Sequence, residues 1–170
     1  MTQESNSKPN AEQQFTFRII SADVVKNYES DPDDYQLPQE DPINAEVETG
    51  FEIGIRPTEE TITLTIDAKF NYKNEDGSRE LLFSLVSRHA FQVQEMQEVF
   101  KTEKPNEIRI PDQIMMIVLN ISIAGTRGMI AASVRNQRYK KVILPLLDMN
   151  SIMTGIKSQV VVHQNDESSK

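Results

Sequence analysis

The sequence predicts an α+β fold: a four-stranded antiparallel sheet with one long helix and a short C-terminal helix packed on one face. Two observations carry that prediction. Between residues 45 and 94 apolar and polar residues alternate in long runs, the period of half-buried strands. Pro111 to Arg135, PDQIMMIVLNISIAGTRGMIAASVR, is the one long stretch that reads as helix. Its residues Ile114 to Leu119 are all apolar, so the helix is apolar most of the way round, where a surface helix shows a single stripe. One face is covered by the sheet of the same chain. The opposite face needs a second cover, which predicts an oligomer.

Taken in order, residues 1–13 are polar and predicted to be a disordered tail, and residues 14–157 form one domain. Phe15, Phe17 and Ile19 alternate with Thr16 and Arg18 as a short strand. From Ser21 to Pro42 three prolines and seven carboxylates predict a long connection, of the kind that often carries function. Its large side chains are Tyr28, Tyr35 and Leu37.

The next strand places Ala45, Val47, Thr49, Phe51, Ile53 and Ile55 on one face, with Glu46, Glu48, Glu52 and Arg56 on the other. Another places Ile62, Leu64, Ile66, Ala68, Phe70 and Tyr72 together, and Asp76-Gly77 predicts a hairpin after it. The return strand, Glu80 to Gln94, puts Leu81, Phe83, Leu85, His89, Phe91 and Val93 on one face and Leu82, Val86 and Ala90 on the other. An antiparallel meander is the simplest pairing.

Pro111 and Asp112 mark the helix start, with Asp as an acceptor for an unpaired amide, and Asn136 marks its end. Gly125 and Gly128 each weaken a helix by about 1 kcal/mol, a cost accepted where another backbone approaches closely; Gly128 is also a candidate terminus. The candidate oligomer interface is Met115, Ile117, Val118, Ile121, Gly125 and Gly128. Arg127 is read as a structural ion pair. The basic RNQRYKK stretch, 135–141, reads as a solvated loop or helix C-terminus. In VILPLLDMNSIM, 142–153, Pro145 breaks a strongly apolar segment, and Ser151 to Lys157 is a candidate short helix. Residues 158–170 are predicted to be a flexible tail.

Chemistry is sparse. The net charge of −8 argues against nucleic acid, which needs clustered Lys and Arg. No cysteine is present, so disulfides and thiolate metal sites are excluded. The N-terminus has no signal-peptide pattern, and Asn120 interrupts the best membrane-span candidate, so a cytoplasmic protein is expected. His89 is read as a satisfied core histidine. No nucleophile motif, phosphate loop or metal spacing is evident, so no catalysis, metal or cofactor is expected. Met and Leu in an irregular segment are common on surfaces that accept varied partners.

IPDQIMMIVLNISIAGTRGM and ILPLLDMNSIM, following a strand meander, resemble the SecB export-chaperone family. The resemblance spans residues 15 to 156 and is close over 109 to 153. The last helix is shorter here, and RNQRYKK adds length between the helices. The resemblance implies a dimer of dimers whose long helices pack in its interior. It also implies a holdase that binds unfolded polypeptides or preproteins in apolar grooves without ATP. The residues implied to line those grooves are Tyr28, Tyr35, Leu37, Ile143, Leu144, Leu146, Leu147, Met149, Ile152 and Met153. In the family, acidic sheet residues and the C-terminal tail help dock a translocase motor; divergent relatives serve toxin–antitoxin pairs. The alternative is therefore a dedicated protein-binding module of the same fold. A third reading, an enzyme of hot-dog type, rests on Asp112 and Gln113 alone.

Overall fold

The computed structural model describes residues 16–31, 45–100, 109–135, 139 and 142–157. Strict alternation makes β3 (Thr61–Lys73) the centre of the sheet: Ile62, Leu64, Ile66, Ala68 and Phe70 are all fully buried. It pairs antiparallel with β2 (Ala45–Arg56) on one side and β4 (Arg79–Val93) on the other. Between β3 and β4, Gly77 adopts the left-handed φ of 86° that the turn requires. Asp76 closes that turn by accepting from the Ser78 amide at 2.8 Å and hydroxyl at 2.6 Å. These hydrogen bonds hold the Asp76 carboxyl below its usual range.

The sheet is four-stranded and antiparallel, but its order is β1-β4-β3-β2, not a simple meander. The first strand, β1 (Phe17–Glu29), returns to the far side of β4. It is also much longer than predicted, and takes in residues 21–29 of the expected connection. Two shifts in register, between Ile19 and Ser21 and between Val24 and Lys26, break its alternation. A bulge inserts one residue and moves the following side chains to the other face, which hides a strand from a period-two search.

A third irregularity corrects the reading of β4. Phe70 pairs with Phe83 while Asn71 pairs with Leu81, so Leu82 is the extra residue. Leu82 is fully buried, and Leu81, expected in the core, is half-buried.

After β4, a single turn α1 (Met96–Val99) seats Met96 and Phe100 in the core. The long helix is α2 (Asp112–Ser133), which packs on β1, β3 and β4, while α3 (Met149–Lys157) packs on α2 and β2. The start of α2 is capped by Pro111 itself without a side-chain bond, and its end comes at Val134, not Asn136. Gly128 lies inside the helix. By length and composition α2 could span a membrane, yet eight of its residues, Ser122 and Thr126 among them, are buried in the fold. Docking on a sheet through such polar groups is the behaviour of a core helix.

The contact between α2 and β4 is polar at its centre. Ser87 and Thr126 hydroxyls lie 2.7 Å apart, and His89 Nε2 lies 3.3 and 3.2 Å from them. Thr126 also donates to the Ser122 carbonyl at 2.8 Å. His89 is thus the satisfied core histidine expected. A Cβ on Gly125 would meet His89 Cε1 at 2.8 Å, so glycine permits this close approach.

This geometry divides the six residues assigned to an oligomer interface. Met115 and Val118 are buried in the chain's own core, and Gly125 faces His89. These three are corrected to intrachain roles, because the sheet occupies the face they share. Ile117 is exposed, Ile121 is half-buried, and Gly128 has open space where a Cβ would stand.

Gly125→Ala is expected to destabilise the protein by about 1–3 kcal/mol, because the His89 ring must shift. Gly128→Ala should stabilise it by up to ~1 kcal/mol through helix propensity. Urea-unfolding midpoints check both; a loss at Gly128 would indicate another backbone packed there. Burial lowers the His89 pKa below 6.5, an effect opposed by the charge of Asp23. Just below pH 6.5 the unfolded chain therefore binds more protons than the folded one. Stability should fall as the pH drops from that value towards the lower folded pKa, and then level off. His89→Gln should flatten this slope in unfolding curves between pH 5 and 7.5, roughly the window in which histidine titrates.

Candidate interaction surface

Between α2 and α3 the chain runs through residues 142–148 without helix or strand. Pro145 lacks an amide donor and disfavours helix at Leu144 before it, which keeps the segment irregular. Core packing fixes it at two points, since Val142 and Leu144 are buried, the latter to 1% exposure. The side chains of Ile143, between them, and of Leu146, beyond Pro145, have no such cover. Ile143 is 68% exposed and Leu146 is 93% exposed.

Asp148 then starts α3 by accepting from the Asn150 amide at 3.0 Å and the Ser151 hydroxyl at 2.6 Å. The Ser151 hydroxyl contributes most to holding the Asp148 carboxyl below its usual range, followed by the backbone amides. Starting at Met149, α3 turns Met153 and Ile156 into the core. Leu147, Met149 and Ile152 are half-buried against that core.

The structure therefore leaves part of the expected groove lining accessible. Ile143 and Leu146 are exposed and Leu147, Met149 and Ile152 half-buried along one stretch of chain, called the ridge below. Leu144 and Met153 are corrected to core residues that support it. Tyr28 is exposed at 41%, but it pairs with Ser84 and so lies on the sheet face that α2 leaves uncovered. It does not join the ridge. Tyr35 and Leu37 lie outside the described residues.

Sequence reading missed a second apolar surface. Ile19, Ile20, Val24 and Val25 are each between 43% and 52% exposed on β1, an edge strand of the sheet. The available signal was two pairs of adjacent β-branched residues, Ile19-Ile20 and Val24-Val25, each ending at a register shift.

Arg127 was expected to form an ion pair. It donates instead to two consecutive carbonyls of the irregular segment, from Nε to Leu144 at 3.1 Å and from Nη2 to Pro145 at 2.7 Å. Asp112 and Gln113, with Met116 and Ile117, line an open apolar depression of about 460 Å³ at the start of α2. The uncovered sheet face is polar: Arg79 bridges Glu46 at 3.1 Å and Glu48 at 2.9 Å, and Lys69 bridges Asp67 at 3.4 Å. All are exposed pairs and contribute little to stability.

No protein-family model and no curated protein matches the chain. Among solved structures the chain is similar to a protein of unknown function from Streptococcus agalactiae. The two share 11% identity over 71% of this chain and 91% of that one, with a TM-score of 0.28. A likeness of that size supports no functional argument.

Leu144→Ala should cost about 2–5 kcal/mol in unfolding free energy, since it empties a buried site. Leu146→Asp, at a position almost wholly in water, should leave stability within ~0.5 kcal/mol of wild type. Thermal or urea unfolding of the two variants checks this division between support and display.

Proposed function

We propose that this protein is an ATP-independent holdase that binds non-native polypeptide through the ridge from Ile143 to Ile152. One observation carries the reading: Leu146 and Ile143 stand in water on a segment whose neighbours are locked into the core. An exposed apolar patch on an ordered support marks an interaction site. Such a patch attracts apolar segments by area, at ~25 cal/mol per Å², and makes little demand on their sequence. That is the requirement for binding unfolded chains. The likeness of residues 109–153 to the SecB family supports the same class of function, a cytoplasmic location and a cofactor-free mode of action.

The second part of the reading is an oligomer, a dimer of dimers. It is supported by the outer side of α2, where exposed Ile117 and half-buried Ile121 leave apolar surface on the side that also carries Gly128. Covering that side with a second copy would remove it from water, as the apolar circumference of the helix demands.

A chemically unfolded client diluted into buffer without ATP tests the proposal by light scattering. Wild type should suppress aggregation, and Ile143→Asp with Leu146→Asp should weaken suppression about tenfold, the effect of ~1.4 kcal/mol of lost contact. Absence of suppression by folded wild-type protein would overturn the holdase reading. Selective capture of one folded partner with no effect on denatured clients would favour the dedicated module.

A further inference from the structure

We propose that Arg127 is the positioning residue of the ridge, holding residues 144–146 so that Leu144 points into the core and Ile143 and Leu146 point into solvent. In its binding consequence this inference rests on the ridge being the client surface. Its structural content does not.

Residues 142–147 lie in neither helix nor strand, and Pro145 removes one donor altogether; the Asp148 carbonyl is the first to accept from α3, from the Ile152 amide at 3.1 Å. Leu144 and Pro145 carbonyls are met instead by one guanidinium, through Nε at 3.1 Å and Nη2 at 2.7 Å. Two donors on one rigid planar edge fix the direction of two successive peptide planes, and not merely their distance from the helix. A peptide plane turned at Leu144 or Pro145 would change the direction in which Leu146 projects. Burial of Leu144 anchors one side chain and the Pro145 ring fixes its own φ, but neither sets the orientation of the Pro145 carbonyl.

The placement of Arg127 fits this role. Between Asp112 and Ser133 it is the helix's one charged residue, and it sits half-buried one position before open, exposed Gly128. Its charge is directed to backbone oxygen, and the acidic side chains of the polar sheet face are bridged by Arg79 and Lys69. Lysine could not substitute fully, because an ammonium is a point donor without a fork.

The test uses the full chain with Arg127→Met, which keeps an apolar stem, and Arg127→Lys, which keeps the charge. Chymotryptic cleavage after Leu146 and Leu147 is timed, hydrogen exchange is followed along α2, and binding of a fluorescent, urea-unfolded client is titrated. Arg127→Met should speed cleavage in this segment about tenfold while α2 amides stay protected, in line with the loss of charge-assisted bonds. It should weaken client binding in parallel. Arg127→Lys should give an intermediate factor, and this holds the test even if the Met variant loosens α2. Faster cleavage of the segment with no client bound by wild type would support the positioning role and refute the holdase reading. Unchanged cleavage after Leu146 and Leu147 in both variants would overturn the positioning role.

Discussion

The close approach of α2 to β4 is the contact on which the other features depend. Gly125 allows the helix to come within reach of His89, and Ser87, Thr126 and His89 then satisfy one another out of water. Buried polar groups are costly when unpaired, so this cluster selects one axial and rotational setting of the helix. Apolar contacts alone, from Ile114 to Ile130, would tolerate neighbouring settings with similar burial. Once the helix is fixed, Arg127 faces the segment that leads to α3, and Leu144 meets the core. The ridge is therefore displayed as a consequence of how the helix docks.

A single layer of helices on one sheet face also explains the distribution of surfaces. The sheet's other face carries Glu46, Glu48, Asp67, Lys69 and Arg79 and needs no cover. Among the described residues the exposed large aliphatic side chains lie on the edge strand, on the outer side of α2, and on the ridge. The first two suit contacts between ordered chains, because strand edge and helix are regular. The ridge begins in the irregular segment and ends in the first turn of α3, where Met149 supplies an adaptable side chain.

Much of this fold was legible in the sequence wherever a single period governed a segment. In β3 every inward residue from Ile62 to Phe70 was read correctly, because no bulge interrupts the alternation until its end. The same reasoning failed in β1, where shifts near Ile20 and Val25 break the period, and at Leu82, where one extra residue exchanges the faces. The position of β1 beside β4 was also hidden, since a long connection allows the chain to cross the sheet. For the candidate surface, composition marked the right segment. It did not separate exposed Leu146 from buried Leu144, because an irregular chain has no period from which to infer direction. Arg127 was misread for a related reason: carbonyl partners leave no trace in a pattern of side chains.

On the proposed reading a core-anchored ridge, and not the polar sheet face, receives non-native polypeptide. Site-specific photo-crosslinking tests this most directly, with a photoreactive side chain placed at Leu146 in one variant and at Glu52 in another. An unfolded client should crosslink at position 146 and not at 52, in the absence of nucleotide. Equal crosslinking at both positions, or crosslinking at 52 alone, would contradict the account.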